Sequence, residues 1–213
     1  NSHFMVREAA VEAILRLGPR AAAGGLIRQS NQLNDEAANL LAVIKSKGSI
    51  KALINGLRNG TPSVKQSAAR ALASVHDEST VNALVEALQD PLVQVQAAKS
   101  LGVLAEPRTI PILLEVLNEP RWPMKLQAAA ANAIAEIAWK HKLNVETVPN
   151  GIDILTGALC QEDIYVRSAA VKALGRVTNH RVVSALTAAL GDPVRWIASL
   201  AGLSLLSALN WNC

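Results

Sequence analysis

Aromatic side chains are scarce: four Trp, one Tyr and one Phe among 213 residues, set in an alanine-rich background. A core of Ala and Leu calls for helices packed at close range, because small side chains fill little space between elements. Strand signals are sparse too. There are few β-branched runs, and no Asn-Gly turn joins two alternating segments, which argues against a β-sandwich or barrel. Two cysteines, Cys160 and Cys213, cannot build a disulfide framework, so a reducing, cytoplasmic setting is expected. No signal peptide is visible. The chain opens on Asn1 rather than Met, which reads as processing, truncation or a tag. The longest uncharged run, residues 196–213, holds three Ser, two Asn and a Gly and makes a poor membrane span. A soluble chain with no membrane partner is expected.

Recognised catalytic motifs are also missing. There is no Gly-rich phosphate loop after a strand, no His-x-x-x-His pair and no Gly-x-Ser-x-Gly. His3, His76, His141 and His180 are scattered along the chain, and His76 and His180 fall at similar helix ends. A helix-dipole contact explains those two as well as a ligand role would, so no metal site is expected. Gly24-Gly25 reads as a bend between helices. Cys160 reads as a packed free thiol, since no His or basic residue adjoins it.

Charge is modest and uneven. Residues 1–75 carry 10 basic and 4 acidic groups, residues 76–119 carry 2 and 7, and residues 120–213 carry 9 and 6. A nucleic-acid binder would show one concentrated basic stripe. Blocks of net +6, −5 and +3 suit patterned contacts with a protein or an anionic ligand instead.

What the chain does have is an echo. Residues 60–75, GTPSVKQSAARALASV, return 29 positions later as QDPLVQVQAAKSLGVL. Pro62 aligns with Pro91, Val64 with Val93, Ala68-Ala69 with Ala97-Ala98 and Leu72 with Leu101. Leu72, Leu101 and Leu174 are each followed by Leu at 12 and at 16 positions. Asp90-Pro91 and Asp192-Pro193 are helix-start signals, with Asp capping orphan N–H groups and Pro at the first helical position. Each unit is thus a helix, a turn, a second helix and a cap. About five full units and partial ends are expected: well-registered units begin near Gly60, Asp90, Pro120 and Asp163, a degenerate one near Asn34 and a first one near Ser2. A last unit, from Asp192, stops after one helix. Residues 140–150 form an insertion. A period near 30 residues means stacked helix pairs that complete one another's core. Val, Ala-Ala and Leu at i, i+4 and i+8 form one stripe, and its small members let the neighbouring helix come close.

This pattern resembles HEAT repeats over nearly the whole chain, expected to be one repeat domain, residues 1–213. The expected fold is all-α: a right-handed α-solenoid of HEAT-like helix pairs. The short period, the Asp-Pro start and segments such as VRSAAVKALG (residues 166–175) and VQVQAAKSLG (residues 93–102) look most like the cyanobacterial phycobilin lyases, in particular the smaller subunit of the two-subunit type. That resemblance implies attachment or removal of a linear tetrapyrrole at a phycobiliprotein cysteine. Phycocyanobilin or a related bilin would be the substrate, with no tightly bound cofactor. The implied partners are a companion lyase subunit and a phycobiliprotein subunit, without nucleic acid. The other reading is a noncatalytic HEAT adaptor that binds protein alone.

Candidate ligand residues cluster at unit starts. Asp163, Tyr165 and Arg167 surround the chain's sole Tyr. Asp163 reads as a helix cap and Arg167 as able to reach back along the same face. An Asp–Arg ladder between repeats and a pocket wall for carboxylate and pyrrole N–H groups both fit them. Arg195-Trp196 and Arg121-Trp122 repeat the Arg-aromatic pairing; Trp122 and Trp196 read either as core or as a tetrapyrrole or partner surface. On the last helix, Leu200, Leu203, Leu206, Leu209 and Trp211 make an apolar face that no following helix covers, so a partner interface is expected there.

Overall fold

The computed structural model describes residues 46–141, 150–177 and 180–210, together with Ala38 and Ala42. The unit starts near Ser2 and Asn34, the Gly24-Gly25 bend, His3, Leu209's side chain, Trp211, Cys213 and most of the 140–150 insertion lie outside the described residues. Ten α-helices follow in order: α1 (Lys47–Asn59), α2 (Pro62–Leu72), α3 (Glu78–Glu86), α4 (Gln94–Leu104), α5 (Ile110–Asn118), α6 (Met124–His141), α7 (Gly151–Ala158), α8 (Ile164–Leu174), α9 (His180–Ala189) and α10 (Arg195–Asn210). Among the described residues there is no strand. The fold is all-α, of the α-solenoid class built from helix pairs.

Caps explain where the helices start. The side chains of Ser46, Thr61, Asp77 and Asp163 accept from backbone N–H groups one turn in, satisfying donors that the helix itself leaves orphaned. Pro62 stands at the first helical position behind Thr61, as expected. The two Asp-Pro starts differ. Asp90 and Asp192 accept from Leu92 N and Val194 N, and a turn intervenes before the helix begins at Gln94 or Arg195.

The chain forms two compact units that meet in sequence between Ala97 and Ala98, within α4. In the first, α2 packs on α1 and α1 lies beside α3. In the second, α6, α8 and α10 make one layer, and α5, α7 and α9 the other. The repeated stripe is the core: Val64, Ala68, Ala69 and Leu72 are buried, as are Val166, Ala169, Ala170 and Leu174. Two glycines of that stripe allow close crossings. A Cβ on Gly102 would lie 2.8 Å from Ala133 Cα, and one on Gly175 would lie 2.5 Å from Ser204 Cβ.

Candidate functional site

At the junctions between helix pairs, one position after the buried Val64 and Val166, stand Lys65 and Arg167. Each reaches 25 positions forward to the Asp that opens the next helix. Lys65 Nζ lies 2.5 Å from Asp90 Oδ2. Arg167 donates from Nε to Asp192 Oδ2 at 2.8 Å and from Nη2 to Oδ1 at 3.2 Å. The expectation that Arg167 reaches back to Asp163 is therefore corrected. Asp163 spends its carboxylate on the N–H groups of Tyr165 and Val166, and the guanidinium turns to the next repeat. This is a ladder between repeats. Hydrogen bonds from Arg167 and Lys65 hold the Asp192 and Asp90 carboxyls below their ordinary range, and the same pairing raises Arg167.

Arg and Lys are not equivalent in this role. Arg167 has a third branch, and its Nη1 donates to the carbonyl oxygens of Gln161 and Glu162 at 3.0 and 2.8 Å. Those carbonyls belong to the turn after α7, which ends at Ala158, whereas α1 runs on to Asn59, the counterpart of Gln161. The Arg fork thus satisfies acceptors that the shortened helix releases. Beside it lies a groove of about 480 Å³ in the second unit. Arg167 and Asp192 line it, together with Leu159, Cys160, Ala185 and Ala188. Cys160 was expected to be packed; it is exposed, as is its counterpart Arg58 in α1.

The other expected residues are placed separately. Tyr165 and Trp196 are exposed, 64% and 47%, each near the start of a first-layer helix, and Arg195 is exposed beside Trp196. Neither Asp163 nor these three line the groove. Trp122 is half-buried under the Arg121 guanidinium, 4.9 Å from its ring centroid, and its Nε1 has no hydrogen-bond partner among the described residues. On α10 the buried stripe is Ile197, Ala201, Ser204 and Ala208. Leu200 is half-buried, while Leu203 and Leu206 are exposed at 66% and 58%. Among the described residues no group of His, Cys, Asp or Glu could hold a metal ion, and no helix is long and apolar enough to cross a membrane.

Two features escaped the sequence reading. Asp192 appeared only as a cap, although its spacing from Arg167 matches that of Asp90 from Lys65 and could have disclosed the pair. Trp139, half-exposed with the Arg176 guanidinium 3.9 Å from its ring centroid, carried no repeat signal.

Three overlapping matches to the model for HEAT repeats span residues 25–91, 50–135 and 121–206. The chain belongs to the HEAT repeat family. Among other proteins, these HEAT repeats are 25% identical over 131 residues to "Uncharacterized phycocyanin operon protein Z" of Pseudanabaena tenuis (strain PCC 7409). The aligned part is 61% of this chain and spans 63% of that relative's length. Among solved structures, the complex of CpcE and CpcF of phycocyanin lyase from Nostoc sp. PCC7120 matches with a TM-score of 0.61 at 20% identity. That match covers 75% of this chain and 99% of the other. An engineered protein matches with a TM-score of 0.62 at 21% identity, covering 94% and 97%. At such identities these structures share the HEAT fold, and the likeness carries no more than that.

Proposed function

We propose that this HEAT repeat chain is a subunit of the phycobilin lyase type. It holds a linear tetrapyrrole, a phycobiliprotein subunit or both while the thioether at an acceptor cysteine is made or broken. The observation that carries this reading is the kinship with a phycocyanin operon protein over 131 residues. The fold shared with the phycocyanin lyase chains is consistent with it.

The chemistry asks little of the lyase itself. The acceptor thiol adds across an exocyclic carbon–carbon double bond of the bilin. A C–S bond forms, the thiol proton ends on carbon, and nothing is oxidised or reduced. The protein's task is positioning, which lowers the barrier by fixing the two reactants together. In this reading Arg195 faces the bilin propionates, Arg167, held by Asp192, shapes the site beside it, and Tyr165, Trp196 and Trp122 offer ring surface. Asp163 serves pyrrole N–H groups only where its cap bonds to Tyr165 N and Val166 N exchange. The chain acts as a single repeat domain in the cytoplasm, and Leu200, Leu203, Leu206, Leu209 and Trp211 dock a companion subunit.

The exposed Leu203 and Leu206 favour a second reading, a HEAT adaptor with protein partners only. One experiment separates the two. Phycocyanobilin and an acceptor apoprotein are mixed with this chain, with and without a companion lyase subunit, and bilin absorbance and adduct mass are followed. A lyase subunit speeds formation or loss of the adduct. An adaptor binds protein and leaves the spectrum and the adduct unchanged.

A further inference from the structure

The groove beside Arg167 has a twin in the first unit, and the two differ in an instructive way. The twin is lined by Leu57, Arg58, Ala83, Glu86, Ala87 and Asp90. By one constant offset these correspond to Leu159, Cys160, Ala185, Ala188, Ala189 and Asp192, all of which line the larger groove. Four of the six positions carry the same residue. The two that differ are the ion pair that bridges the first groove: Arg58 donates to Glu86 Oε2 from Nε at 3.1 Å and from Nη2 at 2.7 Å. Their counterparts are Cys160 and Ala188, which are too short to bridge. The first groove measures about 170 Å³ and the second about 480 Å³.

The tie between second-layer helices is not lost but moved. Arg181 pairs with Asp153, again 28 positions apart, at the counterparts of Ser79 and Lys51. That is about two helical turns away from the groove mouth. The Arg167 fork meanwhile ties down the turn at Gln161 and Glu162. In the first unit the Arg58–Glu86 bridge divides the cleft, with about 170 Å³ on one side and a groove of about 470 Å³ flanked by Lys51, Asn55 and Asn82 on the other. In the second unit the cross-tie sits elsewhere and leaves the cleft undivided.

We infer that this cleft binds a largely apolar, flat small molecule, and that replacement of the Arg58–Glu86 type of latch by Cys160 and Ala188 makes it competent to do so. Its volume lies within the range of small-molecule sites, about 300–1,000 Å³. Ala185, Ala188 and Ala189 form a wall without projecting side chains, against which a planar ring system lies flush. The Arg167–Asp192 pair is already saturated by its own bonds, so it shapes the floor rather than supplying free charge. The exposed Glu162 at the rim accepts from an N–H donor on the ligand. The cleft inference stands on the two grooves alone; only its extension to a bilin rests on the proposed function.

The test rebuilds the latch in the full chain as the double variant Cys160→Arg/Ala188→Glu. Ala188→Leu is a second, uncharged block of the same wall. Two probes are titrated, the aromatic dye anilinonaphthalene sulfonate by fluorescence and phycocyanobilin by absorbance. Alkylation of Cys160, resolved by peptide mass, is followed in the wild type with and without each probe. Expected are about tenfold weaker dye binding in both variants at unchanged circular dichroism, and slower Cys160 alkylation when dye is bound. Equal dye binding by wild type and both folded variants, or alkylation indifferent to dye, overturns the cleft. Dye binding that the latch abolishes, with no bilin binding by the wild type, upholds the cleft and defeats the chromophore reading. Bilin binding that both variants retain places the chromophore elsewhere and overturns the cleft as its site.

Discussion

Arg167 grips Asp192 through two nearly parallel hydrogen bonds, with side chains only 12% and 8% exposed. The bond to Arg167 lowers the Asp192 carboxyl from its ordinary value of 3.8. A depressed folded value means that the pair stabilises above the unfolded value and that this stability is lost as pH falls through the folded one. The wild type should therefore lose melting temperature steeply once the pH drops below about 4, and Asp192→Asn should lose less over the same interval. Parallel curves for the two proteins would refute the linkage.

Removing one partner of this pair leaves a largely buried charge. Arg167→Ala should cost about 3 kcal/mol, read as a lower melting temperature. The same variant weighs the ligand reading. If bilin bound per folded molecule falls as well, Arg167 serves both ladder and site; if it is unchanged, Arg167 belongs to the ladder alone.

The glycines separate a crowded crossing from open surface. Gly102→Ala forces a Cβ to 2.8 Å from the Ala133 backbone and should destabilise by about 1–3 kcal/mol. Gly157→Ala, inside α7 with nothing within 4 Å, should stabilise by about 0.5–1 kcal/mol. Thermal denaturation of the two variants side by side checks the contrast. Equal stabilisation by both substitutions would mean that the α4–α6 crossing is looser than 2.8 Å implies.

The terminal helix makes a different prediction. Leu203→Gln and Leu206→Gln change side chains more than half exposed and should leave monomer stability within about 0.5 kcal/mol. They should weaken association with a companion subunit, or self-association, as measured by light scattering. Unaltered association in both assays removes these leucines from the interface.

Much of the architecture was legible because stacking identical helix pairs imposes a local period. The stripe at Val64, Ala68 and Leu72 and the capping Asp163 follow from helix geometry alone, and both lie where expected. Less of the site was legible. The Arg167–Asp192 bond joins residues 25 positions apart, and local spacing favoured Asp163 instead. Cys160 was read as packed because no His or basic residue adjoins it, but its exposure is set by the helix face it occupies, the same face on which its counterpart Arg58 is exposed.

The sequence by itself determined the helix pairs, their buried stripe and the apolar character of the last helix, since each depends on periods of three to four residues within one segment. Only the tertiary structure decided which charges meet and which junction stays open. Whether Arg58 divides a groove and Cys160 leaves one undivided depends on the residue facing it across the junction, Glu86 in one repeat and Ala188 in the other. A pairing between separate helices exists only once they are stacked.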